Sequence, residues 1–166
     1  MSRLSRFRAL SGRQQALLLQ AIALLATIRL GLTALPFGLL RKALAQLVRP
    51  ITERGTADDR AAAAAQAVWA VETAGRYFPA IGTCLTQALA AHVLLGRAGQ
   101  PSGLRIGVRR DPNGKFVAHA WLEQAEVILI GGSCHSDYIP MPAMNGLVPS
   151  RVDIDRVQSA TGRDPV

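Results

Sequence analysis

The chain has 166 residues, 49% of them hydrophobic and 18% charged, which excludes a disordered chain and allows a single domain with a buried core. Its 19 Lys and Arg against 11 Asp and Glu give a net charge of +8, and residues 1–60 hold ten of the basic residues but three of the acidic ones. Such a charge favours an acidic partner, or serves only solubility. Because no helix-turn-helix, zinc-finger or RNA-binding aromatic pattern is present, we expect no nucleic-acid partner.

The first predicted element is a long, mostly buried helix over residues 12–35, rich in Leu and Ala and stopped by Pro36. Its apolar run, residues 16–28, follows several arginines as in a signal peptide, but Arg29 occupies the place of the cleavage segment. Gln20 and Arg29 also interrupt the stretch of about twenty apolar residues that a membrane span needs. We therefore expect neither a cleaved signal nor a stable membrane span.

Two further helices are predicted before the first cysteine. Apolar residues at helical spacing predict a helix over residues 38–48, ended by the next proline. An alanine-rich helix is predicted over residues 56–75, with Thr56 or Asp58 as its N-cap and Gly75 near its C-terminus.

The fourth predicted helix carries the first cysteine. It begins in TCLTQALAAHVLL, at Thr83 or Cys84, and ends within residues 96–99. With Thr83 as the cap, Cys84 lies in the first turn, where unpaired N–H groups and the positive end of the helix dipole favour a thiolate. Cys84 is therefore a candidate nucleophile, and such a nucleophile needs a base, usually a histidine, within reach.

After Pro101 the apolar period changes from helical to alternating, which predicts strands over residues 103–110, 115–123 and 127–132. The sequence DPNG between the first two is a strong turn signal. This order predicts an α+β fold, in which N-terminal helices and a Cys-bearing helix pack on a small antiparallel sheet. We expect one domain over residues 1–166. Its parts are a helical part (1–55), a core (56–148) and a polar C-terminal tail (149–166).

His119 is the candidate base for Cys84. Strand alternation places it on one face with Trp121, while Ala118 and Ala120 lie on the face that packs on the helices, so its ring can point at a site. The alternative is that a buried thiol and a core histidine merely share a small domain. The other Cys and His residues are expected to be structural or exposed: His92, Cys134 and His135.

Two cysteines are too few for a disulfide framework, which indicates a reducing, cytoplasmic setting. The two also lack the CxxC or clustered Cys/His spacing of a zinc site, so no metal is expected. No phosphate-binding GxxxxGK(S/T) loop is present, and no cofactor is expected.

Several segments carry a family resemblance: the Cys-Leu helix start, LLGRAG, LRIGV and AHAW, followed by Gly-Gly and Tyr-x-Pro. In this order and spacing they resemble the cysteine peptidases that cleave leader peptides in lasso-peptide biosynthesis, which belong to the transglutaminase-like, papain-related superfamily. The match covers residues 80–142. The resemblance implies a transglutaminase-like core, with Cys84 as the nucleophile and His119 as the general base and acid.

The third member of the family's triad is an Asp on or just after the strand that follows the histidine, and this sequence departs from it. No acid is present at residues 130–132, which read Ile-Gly-Gly. Asp137, in a loop that folds back, is the predicted third member. Glu123 shares the face of His119 but lies about 13 Å along the strand, and Glu126 lies farther still. A carbonyl or amide that orients the imidazole is an equally open alternative.

The resemblance also implies partners. We expect a precursor peptide as substrate, a separate leader-recognition protein, and a macrolactam cyclase that acts next. The candidate docking surface for the recognition protein is basic and includes Arg41, Lys42 and Arg49. Two alternatives stay open: an acyltransferase or transglutaminase that uses the same thiol, and a non-catalytic peptide-binding module with a degenerate triad.

Overall fold

A computed structural model describes residues 3–48, 56–124 and 127–141 as five helices and a four-stranded sheet. The helices are α1 (Arg3–Arg8), α2 (Gly12–Ala34), α3 (Phe37–Leu47), α4 (Ala57–Tyr77) and α5 (Cys84–Arg97). The strands are β1 (Gly103–Arg110), β2 (Phe116–Gln124), β3 (Val127–Ile130) and β4 (Ile139–Pro140), with a short 3-10 helix, Gly132–Asp137, before β4. The predicted α+β class, helices first and sheet second, is confirmed.

Helix α2 is apolar but buried along one stripe only. Ser11 and Gln14 form a capping box at its start, and Leu18, Ala21, Leu25 and Ile28 are buried at intervals of three or four residues. The prediction of a mostly buried helix is wrong, because α4 and α5 cover this single face in the described part of the chain.

By length and composition, α2 is also the one described helix that could cross a membrane. Its most apolar 18-residue window has a mean hydropathy of 1.8, and 22% of that window is buried. A core helix of a globular domain passes the same test, and α2 does bury its stripe against α4 and α5.

Helix α4 begins with a second capping box, in which Thr56, one of the two predicted caps, pairs with Asp59. Hydrogen bonds from the backbone N–H and the hydroxyl of Thr56 lower the pKa of the Asp59 carboxyl. The helix ends at Tyr77, two residues beyond the predicted range, and Gly75 lies near its C-terminus as predicted. Gly75 is buried, and its lack of a side chain allows the side chain of Gln87 to approach.

Helix α5 is the centre of the core. It begins at Cys84, as predicted, and its residues from Ala88 to Leu95 are all buried between α2, α4 and the sheet. It ends at Arg97, and Gly99 adopts the left-handed conformation (φ 71°) that reverses the chain toward β1. The buried face of the sheet, with Leu104, Ala120 and Leu122, joins the same cluster.

The sheet is antiparallel, in the order β3-β2-β1-β4. The first three strands form the predicted meander, whereas β4 was not predicted. Because β3 and β4 lie at opposite edges, the connecting residues 131–138 must cross one face, and α5 covers the face with Leu122. The crossing segment therefore passes over the face that carries His119. Its last residue, Tyr138, contacts the His119 ring. We call residues 131–138 the strap.

Candidate active site

Cys84 is a free, half-buried thiol at the first residue of α5. The N–H groups of this first turn have no carbonyl partner within the helix, so they and the helix dipole present positive charge beside the sulfur. The predicted cap, Thr83, occupies the N-cap position but makes no side-chain capping hydrogen bond. Among the described residues no side-chain cap occupies the backbone amides at this end, so they can receive a ligand.

Two side chains of α5 fasten the loop that leads into Cys84. The Thr86 hydroxyl contacts the carbonyl oxygens of Ile81 (2.5 Å) and Thr83 (2.9 Å), and Gln87 Nε2 donates to the Gly82 carbonyl at 2.6 Å. Glycine at position 75 is needed here because a Cβ there would lie 2.6 Å from Gln87 Cδ. The thiol is thus held by a loop packed directly against α4.

His119 has its ring orientation and its tautomer set by a backbone carbonyl. The Nε2 atom lies 2.8 Å from the carbonyl oxygen of Gly131. A carbonyl only accepts hydrogen bonds, so Nε2 carries the proton and Nδ1 is the basic nitrogen. Within the described residues Nδ1 has no hydrogen-bond partner, and it can accept a proton from a reacting group.

Gly131 can supply this carbonyl because it is a glycine. Its φ is 80°, a conformation that side chains disfavour, and a Cβ would lie 2.9 Å from the Ala120 carbonyl oxygen. β3 ends at Ile130 and pairs with β2 only over Leu122–Gln124, so the strap starts beside an unpaired stretch of β2. That geometry brings the Gly131 carbonyl to the histidine.

Two aromatic rings pack against the imidazole. The Trp121 ring stacks at 6.2 Å with an interplanar angle of 21°, and the Tyr138 ring of the strap lies at 5.1 Å and 34°. Gly107 makes room for both, since a Cβ there would lie 2.8 Å from Tyr138 Cβ and 2.9 Å from the Trp121 ring. The Arg109 guanidinium lies 5.2 Å from the centre of the Tyr138 ring. His119 is therefore confined by packing as well as by its hydrogen bond.

Cys84 and His119 line the same pocket, of about 460 Å³, beside the stretch of β2 that β3 does not pair. Its other walls come from the C-terminal half of α4, from Gln87 and from residues 130–132. Among the described residues no hydrogen bond joins the thiol to the imidazole. Catalytic hydrogen bonds are often long or unformed before substrate binds. The two predicted catalytic residues share a site that is open to solvent and large enough for a peptide segment.

The comparison with known families decides the broad class. A family profile, described as transglutaminase-like superfamily, matches residues 14–142, well over half of the chain. The chain belongs to the transglutaminase-like superfamily. This superfamily includes cysteine peptidases and acyltransferases, and its members are generally cysteine-dependent enzymes. No curated protein and no solved structure matches the chain.

The superfamily's third triad residue has no carboxylate counterpart beside His119 in the described residues. Asp137, the predicted third member, ends the 3-10 helix with an exposed side chain, and no hydrogen bond joins it to His119 in the part of the chain described. Glu123 pairs with Arg105 instead, and Glu126 lies outside the described residues. The Gly131 carbonyl is instead the hydrogen-bond partner of Nε2. It corresponds to the alternative left open by the sequence, a carbonyl that orients the imidazole.

The other candidate residues lie apart or are not described. His92 is buried, with Nδ1 3.0 Å from the Ser102 hydroxyl, which is the structural role expected for it. The side chains of Cys134 and His135 lie outside the described residues. Sequence reasoning missed the roles of Gln87 and Tyr138. The spacing of Gln87 three residues after Cys84 on one helix offered a signal for the first, whereas nothing local indicated the second.

Proposed function

We propose that the protein is a cysteine peptidase that removes the leader peptide from a ribosomally made lasso-peptide precursor. One observation carries the chemistry: His119 donates Nε2–H to the Gly131 carbonyl, has no partner at Nδ1 within the described residues, and lines the same pocket as Cys84. The resemblance of the AHAW and Cys-Leu segments to leader peptidases supports the choice of substrate. The superfamily membership supports a thiol-dependent acyl transfer.

The reaction would proceed through an acyl-enzyme. His119 Nδ1 takes the Cys84 proton, and the thiolate attacks the scissile carbonyl to form the C–S bond. The N–H groups at the start of α5 stabilise the oxyanion. The imidazolium then gives its proton to the leaving amine as the C–N bond breaks. Water, deprotonated by His119, hydrolyses the thioester and restores the thiol. The Gly131 carbonyl stabilises the charged ring by accepting Nε2–H throughout.

The proposed setting is the cytoplasm, where a separate leader-recognition protein delivers the precursor and a macrolactam cyclase acts on the released core. The described residues before α4 are helices, and they offer no strand edge to which a leader could add. Ordering a flexible leader costs roughly 1–2 kcal/mol for each backbone residue fixed. A partner that holds the leader would reduce this cost through its effective concentration.

Replacement of the nucleophile tests the proposal. We expect Cys84→Ala to lower the rate of leader release by at least about 10³-fold, because no other described group can form the thioester. Mass spectrometry of the precursor, incubated with the recognition protein and each variant, measures it. Cys134→Ser is the matched control and should cleave normally.

The product distinguishes the two thiol chemistries. A leader with a free C-terminal acid indicates hydrolysis, whereas a new isopeptide indicates the acyltransferase alternative. Cleavage by Cys84→Ala at the wild-type rate would end the cysteine-peptidase proposal. A Cys84 thiol that iodoacetamide does not alkylate at neutral pH would favour the non-catalytic binding module instead.

A further inference from the structure

A second cavity lies next to the candidate active site, and the function proposed above does not use it. It is a groove of about 560 Å³ between α1, α2 and the C-terminal half of α4. Its walls are mainly apolar and aromatic: Phe7, Leu19, Ile22, Trp69 and Tyr77. We propose that this groove binds an apolar side chain of the peptide substrate, close in sequence to the carbonyl that Cys84 attacks. The inference rests on the proposed function for its choice of ligand.

The two cavities are neighbours on α4, where they share a lining residue. Arg76 lines both of them. On one side of the helix Glu72 and Gly75 face the pocket of Cys84, and on the other Trp69 and Tyr77 face the groove. The shared Arg76 makes the groove the cavity beside which a peptide with its carbonyl at Cys84 would extend along α4.

The lining selects the chemistry of the occupant. Leu19 is 57% exposed and Phe78, at the end of the groove, 46% exposed, so both present apolar surface that a ligand would remove from water. At about 560 Å³ the groove has room for more than one large side chain, and its aromatic walls suit Leu, Ile, Phe or Trp. Because one methylene in an apolar pocket changes selectivity at least about 10-fold, Leu or Phe should be preferred over Ala by at least that factor.

Binding can be measured without catalysis. The probe is a positional-scanning library of acetylated and amidated octapeptides, and the protein is the full chain with Cys84→Ala. In this background Leu19→Gln places a polar side chain of similar size in the groove. Leu30→Gln is the matched control, since Leu30 lies on the same helix, is 68% exposed and does not line the groove. Thr73→Gln repeats the test from the α4 wall, and circular dichroism verifies each fold.

We expect one peptide position to select large apolar residues over Ala and Asp by at least about 10-fold. Leu19→Gln and Thr73→Gln should weaken this selection, while Leu30→Gln leaves it unchanged. The proposal is overturned if no position selects apolar residues, if the groove variants keep the selection, or if Leu30→Gln weakens it equally. The groove would then belong to a partner protein or to residues 142–166. Apolar selection without cleavage by the wild type would instead overturn the peptidase proposal and leave the groove assignment standing.

Discussion

A neutral backbone carbonyl, rather than a carboxylate, accepts the hydrogen bond from the proton-bearing nitrogen of His119. In a triad the third member fixes the tautomer and the angle of the imidazole and stabilises its charged form. The Gly131 carbonyl meets the first two requirements by geometry, and the rings of Trp121 and Tyr138 add to the confinement. For the third requirement, stabilisation of the charged imidazole, the carbonyl offers a dipole in place of a full charge. At the residue scale, the candidate base is thus held by packing and a backbone dipole.

The position of this carbonyl can be tested by replacing two glycines that have nearly the same positive φ. We expect Gly131→Ala to lower kcat by about 10²-fold, because a Cβ would meet the Ala120 carbonyl at 2.9 Å and displace the strap. Gly114→Ala is the control, since Gly114 has nearly the same φ (79°) but open space around it in the β1–β2 turn. Steady-state cleavage and thermal melting of both variants separate activity from stability. Equal activity in the two variants would contradict a role for the carbonyl.

The carboxylate of Asp137, the predicted third member of the triad, is expected to contribute little to activity. Asp137 is exposed and makes no hydrogen bond to His119 in the described structure, so we expect Asp137→Ala to keep its activity within about 3-fold. His119→Ala, measured beside it, should lose at least about 10³-fold. A comparable loss in Asp137→Ala, with a normal melting temperature, would restore Asp137 as the triad residue.

At the scale of elements, the contact between α4 and the start of α5 places the nucleophile. Gln87 holds the Gly82 carbonyl, while Gly75 lies close enough to the loop that a Cβ on Gly82 would be 2.5 Å from Gly75 Cα. The cysteine is therefore positioned where α4 meets the loop that leads into α5, through Gly75, Gly82 and the Gln87 carboxamide. A nucleophile that forms no hydrogen bond to its base in the free enzyme depends on such support for its alignment.

Removal of the Gln87 carboxamide should be seen at the thiol itself. Gln87→Ala leaves the Gly82 carbonyl without its donor, and we expect the alkylation rate of Cys84 by iodoacetamide to fall about 3- to 10-fold, the equivalent of one lost hydrogen bond. Gln66→Ala, on an exposed face of α4, is the control. An unchanged alkylation rate in Gln87→Ala would remove this positioning role.

The start of α4 gives a pH-dependent prediction. The pKa of Asp59 is lowered by the N–H and hydroxyl of Thr56, so Asp59 stabilises the folded state above its unfolded pKa, near 3.8. This contribution is lost as pH falls through the lower, folded pKa. We expect Asp59→Asn to be less stable than wild type at pH 7 and the difference to shrink below pH 3.8. Chemical denaturation at both pH values measures it, and a constant difference would contradict the assignment.

At the scale of the whole molecule, the net charge of +8 bears on how the precursor is delivered. We expect a separate leader-recognition protein to raise kcat/KM, and this stimulation to weaken with added salt because an acidic partner would be attracted to the basic N-terminal half. Of the predicted docking residues, Lys42 is exposed and Arg41 half-buried on α3, while Arg49 lies outside the described residues.

A charge change on α3 tests this surface. Lys42→Gln should reduce the stimulation, whereas Lys115→Gln, an exposed lysine beside the β1–β2 turn, should not. Rates measured with and without the partner at several salt concentrations decide between the outcomes. A kcat/KM that the partner does not change would contradict the partner itself, whereas salt-insensitive stimulation would contradict only the basic surface.

The amino-acid sequence by itself determined the elements whose causes are local. The start of α5 at Cys84 follows from helical apolar spacing after a Thr, and the capping box of α4 from Thr56 and Asp59. The face of His119 follows from strand alternation, and the α+β class from the order of the elements. Each of these features depends on neighbours within a few residues, so the local pattern is sufficient to predict it.

Only the tertiary structure decided what meets at the site. The strap crosses the sheet because β4 pairs at the far edge, and this brings Gly131 and Tyr138 to His119 from 12 and 19 residues away. The exposure of one side of α2 also depends on which distant elements pack against it. Such contacts arise from the way whole elements pack, and periodicity along the chain carries no information about them.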